Sequence, residues 1–214
     1  MSRRLLSRAV VALAVPALTI TALSAPAEAA KAPKVPSITK VAKIYPHLAG
    51  GTVYTGESNP TAPPKKCGKE GKKIKGASGV YASYDAVYDP AVGYTPPSGA
   101  APSISIQAMK FKTTAAAVKY LHGSGKTIKC NGGGVGDDLD IKTKIKKFSF
   151  KLGDERSGYT ATSKFPDGDV YVSQSYLVRD GKFIVSAYAS SSDGTAPSKK
   201  TGLKLIKMAL KTAS

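Results

Sequence analysis

The sequence predicts an α+β domain: an antiparallel β-sheet of about six strands, covered by helices in two or three layers. Three observations lead there. Apolar and polar residues alternate over 157–165 and 170–178 and again after Asp180-Gly181, and the turns between these runs, PDGD and DG, are short. Connections of that length permit only antiparallel pairing. From residue 197 onward, Leu203, Ile206, Leu210 and Ala213 recur at helical spacing on one side, with Lys200, Lys204, Lys207 and Lys211 on the other, so this helix needs a surface to cover. The order α, β, β, α, β, β, β, β, α also lacks the strict alternation of a parallel sheet.

In chain order, residues 1–29 read as an export signal. Arg3, Arg4 and Arg8 precede an apolar run of about 15 residues containing Pro16, and SAPAEAAK follows. Ala27, Glu28 and Ala29 supply the small-x-small pattern, so the expected cut follows Ala29 and the expected location is extracytoplasmic. Arg3-Arg4 also fits the twin-arginine route. The run is shorter than the roughly 20 residues of a membrane span, and no cysteine lies near the cut to take a lipid. Residues 30–36 are a proline-containing lead-in expected to be disordered, and residues 37–214 are expected to form one domain.

Within that domain, Ile38, Val41, Ala42, Tyr45 and Leu48 share a helical face behind Ser37 as N-cap. Residues 49–78, rich in Gly, Pro, Lys and Thr, read as a long irregular segment. Strands are expected over 80–88 and 103–111. Thr113 or Thr114 then caps a helix expected to end at Gly123, with His122 in its last turn. In the next strand Leu139, Ile141, Thr143 and Ile145 oppose Lys142, Lys144 and Lys146, after which the apolar phase moves to Phe148, Phe150 and Leu152. That shift predicts a bulge near Lys146-Lys147. Asp180-Gly181 as a two-residue hairpin loop sets Val178 opposite Phe183 and Tyr176 opposite Val185.

The chain carries 32 Lys and Arg against 14 Asp and Glu, a formal charge of +18 that falls to +16 once three arginines and one glutamate leave with residues 1–29. Charge of this size attracts polyanions through long-range, salt-sensitive forces. Outside a cell, anionic wall polymers and lipid headgroups are the expected partners rather than nucleic acid. The candidate contacts are the strand row Lys142, Lys144 and Lys146 and the helix row Lys200, Lys204, Lys207 and Lys211. The strand row is expected to weigh more, because a strand holds alternate side chains on one face and a terminal helix frays.

Enzyme signatures are sparse. With two histidines, His47 and His122, and neither G-x-S-x-G nor H-E-x-x-H, the common serine hydrolases and zinc proteases are not supported. GGGVGDDLD carries Asp137, Asp138 and Asp140, but one imperfect copy cannot stack into a calcium-binding roll and reads as a solvated connection. Asp154 and Glu155 in LGDERSGY form the one candidate acid–base pair, in a turn where acids usually cap backbone groups. Trp is absent, which counts against carbohydrate stacking. No cofactor or metal is expected.

From residue 103 to 189, a strand ending MKF, the helix TTAAAVKYLHG, a cysteine, LGDERSGY and the hairpin YLVRDGKFIVSAYA resemble actinobacterial extracytoplasmic sensor-like domains. These are similar to the extracellular domain of PknH-type receptor kinases and to related secreted or lipid-anchored proteins. The resemblance covers about half of the expected mature chain. It implies a helix-covered antiparallel sheet with a cleft, no established catalysis and an unidentified ligand. This chain departs from it in showing no kinase, no membrane span and no lipidated cysteine, and in having two cysteines where that domain has more.

The sequence favours a secreted, non-enzymatic binding or sensor-like domain with basic faces for an anionic envelope polymer, lipid or acidic ligand. A secreted hydrolase with a carboxylate site near Asp154 and Glu155, and a cationic toxin-like protein, stay open as alternatives. Cys67 and Cys130 are the only cysteines, and in an oxidising compartment they are expected to pair, closing a loop of about 64 residues worth about 4 kcal/mol. Thiol titration of the denatured, unreduced protein is expected to find no free thiol. Two reactive thiols would refute the pairing.

Overall fold

Seven antiparallel strands form one sheet whose two faces are both packed by helices. The computed structural model describes residues 32–64, 69, 71–86, 103–132 and 141–213, with the backbone alone for 103 and 129–132. The elements are α1 (Ile38–Ala42), a 3₁₀ turn (Pro46–Leu48), β1 (Thr52–Ser58), β2 (Ser78–Asp85), β3 (Ser103–Lys110), α2 (Thr114–Gly132), β4 (Lys142–Phe148), β5 (Glu155–Lys164), β6 (Val170–Asp180), β7 (Phe183–Ser191) and α3 (Lys199–Ala213). Strand order across the sheet is β1-β2-β3-β7-β6-β5-β4. The export signal, Cys67, the side chain of Cys130, the proline-rich stretch after β2 and Asp137, Asp138 and Asp140 lie outside the described residues.

Side chains alternate between the two faces of the sheet, and each face has its own core. On one face Ala82, Tyr84, Ile104, Ile106, Ala108, Val185, Ala187, Ala189, Tyr176 and Val178 pack beneath Leu205, Ile206, Ala209 and Leu210 of α3 and Val41 of α1. On the other face Met109, Ile184, Leu177 and Tyr159 pack beneath Ala117 and Leu121 of α2. The result is three layers. Pro33 and Pro36, in the segment the sequence reads as a lead-in, are buried, and the Tyr84 hydroxyl donates to the Pro36 carbonyl at 2.6 Å.

Four expectations need correction. The sheet has seven strands rather than about six, because β1 emerges from the segment read as irregular. It is an edge strand whose residues are mostly exposed, so it carries no alternation of burial for a sequence pattern to show. Helix α2 runs through Gly123 to Gly132. Both mid-helix glycines sit at close approaches: a Cβ on Gly123 would collide with the Pro63 ring, and one on Gly125 would lie 2.8 Å from the Tyr159 hydroxyl. Its N-terminus is capped as expected, with the Ala116 N–H donating to Thr113 Oγ1 at 3.1 Å.

The bulge near Lys146-Lys147 is absent. The β4–β5 ladder runs unbroken through Lys146↔Thr160, Lys147↔Tyr159 and Phe148↔Gly158. Lys142, Lys144, Lys146 and Phe148 therefore share one face. The apolar phase shifts because the strand passes from uncovered sheet to sheet beneath α3, while Ile145 packs on the opposite core. The β6–β7 register is displaced by two residues, pairing Asp180 with Phe183 and Val178 with Val185. Gly181-Lys182 is the two-residue loop, and Gly181 (φ +54°) takes the first central position, where the left-handed region favours glycine.

Gly202 tests the packing of α3. A glycine inside a helix ordinarily costs about 1 kcal/mol relative to alanine. Here a Cβ would fall inside van der Waals contact of the Tyr176 ring and hydroxyl, and that hydroxyl is held by Gln174 Oε1 at 2.7 Å. Gly202→Ala is expected to destabilise by about 1–3 kcal/mol through overpacking, read by urea unfolding. A gain in stability would mean that α3 stands farther from the sheet.

Candidate functional site

Helix α3 buries Leu205, Ile206, Ala209, Leu210 and Ala213, and the same periodicity leaves Lys200, Lys204, Lys207 and Lys211 exposed. Ser198 begins the helix, its carbonyl accepting from the Gly202 N–H at 2.9 Å. Burial persists to Ala213, so the last turn is anchored. Helix α1 packs on the same core and presents Lys40 beside it. Between the two helices lies an open groove of about 620 Å³ lined by Lys40, Lys204, Lys207, Met208, Lys211 and Thr212. No acidic residue lines it. Three lysines of the expected helix row thus meet around one concavity with Lys40, which the sequence reading missed because its helix was judged only by its apolar face.

The strand row lies on the same side of the sheet. Register places Lys164 opposite Lys142, with Thr162 opposite Lys144 and Thr160 opposite Lys146, and Lys144, Lys146 and Lys164 are exposed. Lys199, at the start of α3, sits 4.9 Å above the Phe148 ring, a cation–π contact that brings the helix to the end of the lysine-bearing strand. The strand lysines do not line the groove, which takes three of its four lysines from α3. Lys200 does not line the groove.

Asp154 and Glu155 occupy a different place, at the start of β5. Gly153 (φ +59°) makes the turn, and the Asp154 N–H donates to the Arg179 carbonyl at 2.9 Å. Arg179, 7 % exposed, donates to Asp154 Oδ2 at 2.8 Å and to Glu155 Oε1 at 3.4 Å. Glu155 Oε2 also meets His122 Nε2 at 3.0 Å, which ties α2 to β5. The Gly181 N–H donates to Asp154 Oδ2 at 3.0 Å. Both carboxylates are thereby engaged in holding the β6–β7 turn, and neither lines the groove. That is a structural arrangement, not one poised for general acid–base work.

Among the described residues no group of three His, Cys, Asp or Glu side chains is placed to hold a metal ion, and no helix is long and apolar enough to cross a membrane. No family model matches the chain, nor does any curated protein, so the resemblance to PknH-type domains gains no support from these comparisons. Among solved structures the chain is similar to LpqN, a protein involved in cell envelope biogenesis of Mycobacterium tuberculosis. Identity is 12 %, over 76 % of this chain and 81 % of that one, with a TM-score of 0.27. A likeness that low carries no argument.

The carboxyl of Asp154 is held below its ordinary value of 3.8, first by the Gly181 N–H and then by the charge of Arg179. With the folded-state pKa depressed, the unfolded chain binds more protons as pH drops. The stabilisation is therefore present above the unfolded value and is lost as pH falls through the folded one. Asp154→Asn is expected to unfold at a lower temperature than wild type at neutral pH, with the gap closing below about pH 3.8. A gap of constant size across the acid range would show that the charge of Asp154 plays no part.

Proposed function

We propose that this chain is a non-enzymatic, extracytoplasmic binding domain of the sensor-like kind found outside PknH-type receptor kinases. Its α3 face holds an anionic cell-envelope polymer or anionic lipid headgroups. The observation that carries this is the groove in which Lys40 joins Lys204, Lys207 and Lys211. Exposed charges farther apart than about 8 Å are screened at physiological salt, so scattered lysines attract little. Four ammonium groups around one concavity, with no carboxylate in its lining, act together on a dense line of negative charge. Met208 and the methylene stems of the lysines give the groove an apolar wall for the backbone of such a ligand.

Export through residues 1–29 with cleavage after Ala29, and a Cys67–Cys130 disulfide, belong to the same reading. Asp154 and Glu155 hold Arg179, so the hydrolase alternative has no observation in its favour. The groove also changes the weight given to the two lysine rows. Because α3 is anchored to its last turn, the helix row takes the larger part and the strand row extends the field.

The test is retention of the purified protein, against NaCl concentration, on isolated anionic wall polymer and on vesicles containing phosphatidylglycerol. Reversal of Lys204, Lys207 and Lys211 to Glu is expected to weaken retention at least about tenfold at physiological salt, where clustered charge still acts. The same change at Lys142, Lys144 and Lys146 is expected to have a smaller effect. Retention on one matrix alone identifies the ligand class. Retention unchanged by salt up to about 0.5 M, deep in the screened regime, would overturn the proposal.

A further inference from the structure

The face of the sheet opposite α3 has a different chemistry. Helix α2 covers only part of it, over Met109, Ile184, Leu177 and Tyr159. Beyond that footprint the register sets Ser83 opposite Ser105, Ser105 opposite Tyr188, Tyr188 opposite Ser175, and Gln107 opposite Ser186. Every one of these side chains is neutral, in a chain where 21 % of residues are charged. Solvated sheet faces ordinarily take up lysine and glutamate, the residues most often left exposed.

Where α2 overhangs this strip there is a cavity of about 150 Å³, whose lining includes Gln107, Tyr120, Ser124, Ser175, Ser186 and Tyr188. Its polar groups are hydroxyls and one amide. Ser124 Oγ donates to the Leu121 carbonyl at 2.6 Å, which leaves its oxygen as an acceptor. Gln107 Nε2 donates to Ser58 Oγ, which fixes the amide's orientation. Tyr120 has its ring packed on Phe111, with centroids 5.2 Å apart, and burial raises the pKa of its hydroxyl, keeping it neutral. Tyr188 is 36 % exposed and stands at the mouth.

We infer that this cavity is a subsite for a neutral polyhydroxyl ring, the terminal unit of an uncharged oligosaccharide. A multivalent set of neutral donors and acceptors suits sugar hydroxyls, which act as both, and the tyrosine rings supply an apolar surface for a ring face. The absence of tryptophan counts against stacking in the sequence, and the structure supplies tyrosine in its place. The volume is below the roughly 300 Å³ at which pockets begin to enclose a drug-sized ligand, so one ring enters and the serine strip carries the next. A charged ligand would bury its charge against uncharged walls, which is costly. This site does not depend on the lysine groove.

The experiment titrates the purified protein with maltoheptaose, cellohexaose, mannohexaose and chitotetraose. Tyrosine fluorescence serves as the readout, since the chain has no tryptophan, and calorimetry as a second one. Saturable binding of at least one probe is expected, unchanged between about 0.05 and 0.5 M NaCl because no charge pair is involved. Tyr188→Ala, which removes an exposed ring, and Ser186→Leu, which fills the cavity, are each expected to weaken that binding about tenfold or more. Their melting temperatures and circular dichroism establish that they are folded. The triple reversal of Lys204, Lys207 and Lys211 is expected to leave it unchanged. Absence of saturable binding by every probe up to about 10 mM, below any useful affinity, overturns the inference. So does binding that survives in folded Tyr188→Ala, or binding that disappears with salt.

Discussion

The β3–β7 ladder is the constraint on which the rest of the molecule depends. It joins two meanders, β1-β2-β3 and β4-β5-β6-β7, by pairing Ser103 through Lys110 with Ser190 through Phe183. These partners are about 70 to 90 residues apart in the chain, so nothing local announces them. Closing so long a connection costs only slowly increasing entropy, and it delays folding more than it weakens the folded state. Once the ladder forms, the chain leaving β3 must reach β4 at the far edge, and α2 carries it across one face. Helix α3, leaving β7 at the centre of the sheet, settles on the other. Ala187 and Ala189 on β7, small and buried, let it lie close.

This topology also divides the chemistry. The α3 side carries the lysine groove and the strand lysines, while the uncovered part of the α2 side carries serines, tyrosines and a glutamine. The lysine groove and the neutral strip thereby lie on opposite faces of the sheet. Asp154 and Glu155 are both engaged by Arg179.

The burial is not free of polar cost. The Tyr45 hydroxyl and Arg179 Nε are buried without a hydrogen-bond partner among the described residues. Burial and the neighbouring Tyr176 push the Tyr45 hydroxyl's pKa upward, and burial raises that of Tyr176 to about 12. Both stay neutral at any physiological pH. Orphaned groups of this kind cost about 1–3 kcal/mol each, which the apolar packing around them must exceed.

Several elements are legible in the sequence because their cause is local. The amphipathic period of α3, the alternation in β5 and β6, the Thr113 cap and a turn containing Gly181 all follow from side chains a few residues apart. The exposed edge strand β1 left no such trace. The glycines of α2 looked like a stop because their reason, close approach of Pro63 and Tyr159, lies across the fold. The phase change at Phe148 looked like a bulge because covering on one face or both is decided by where α3 comes to rest. For the candidate sites the same division holds. Sequence alone determined the basic excess, the lysine rows and the lack of a recognisable catalytic motif, since these are properties of composition and of one element at a time. Only the tertiary structure decided that Lys40 meets Lys204, Lys207 and Lys211, that Asp154 and Glu155 hold Arg179, and that Ser83, Ser105, Ser175, Ser186 and Tyr188 of four strands share one face of the sheet. Each of these depends on strand register and helix placement between distant segments, and no local preference encodes such distances.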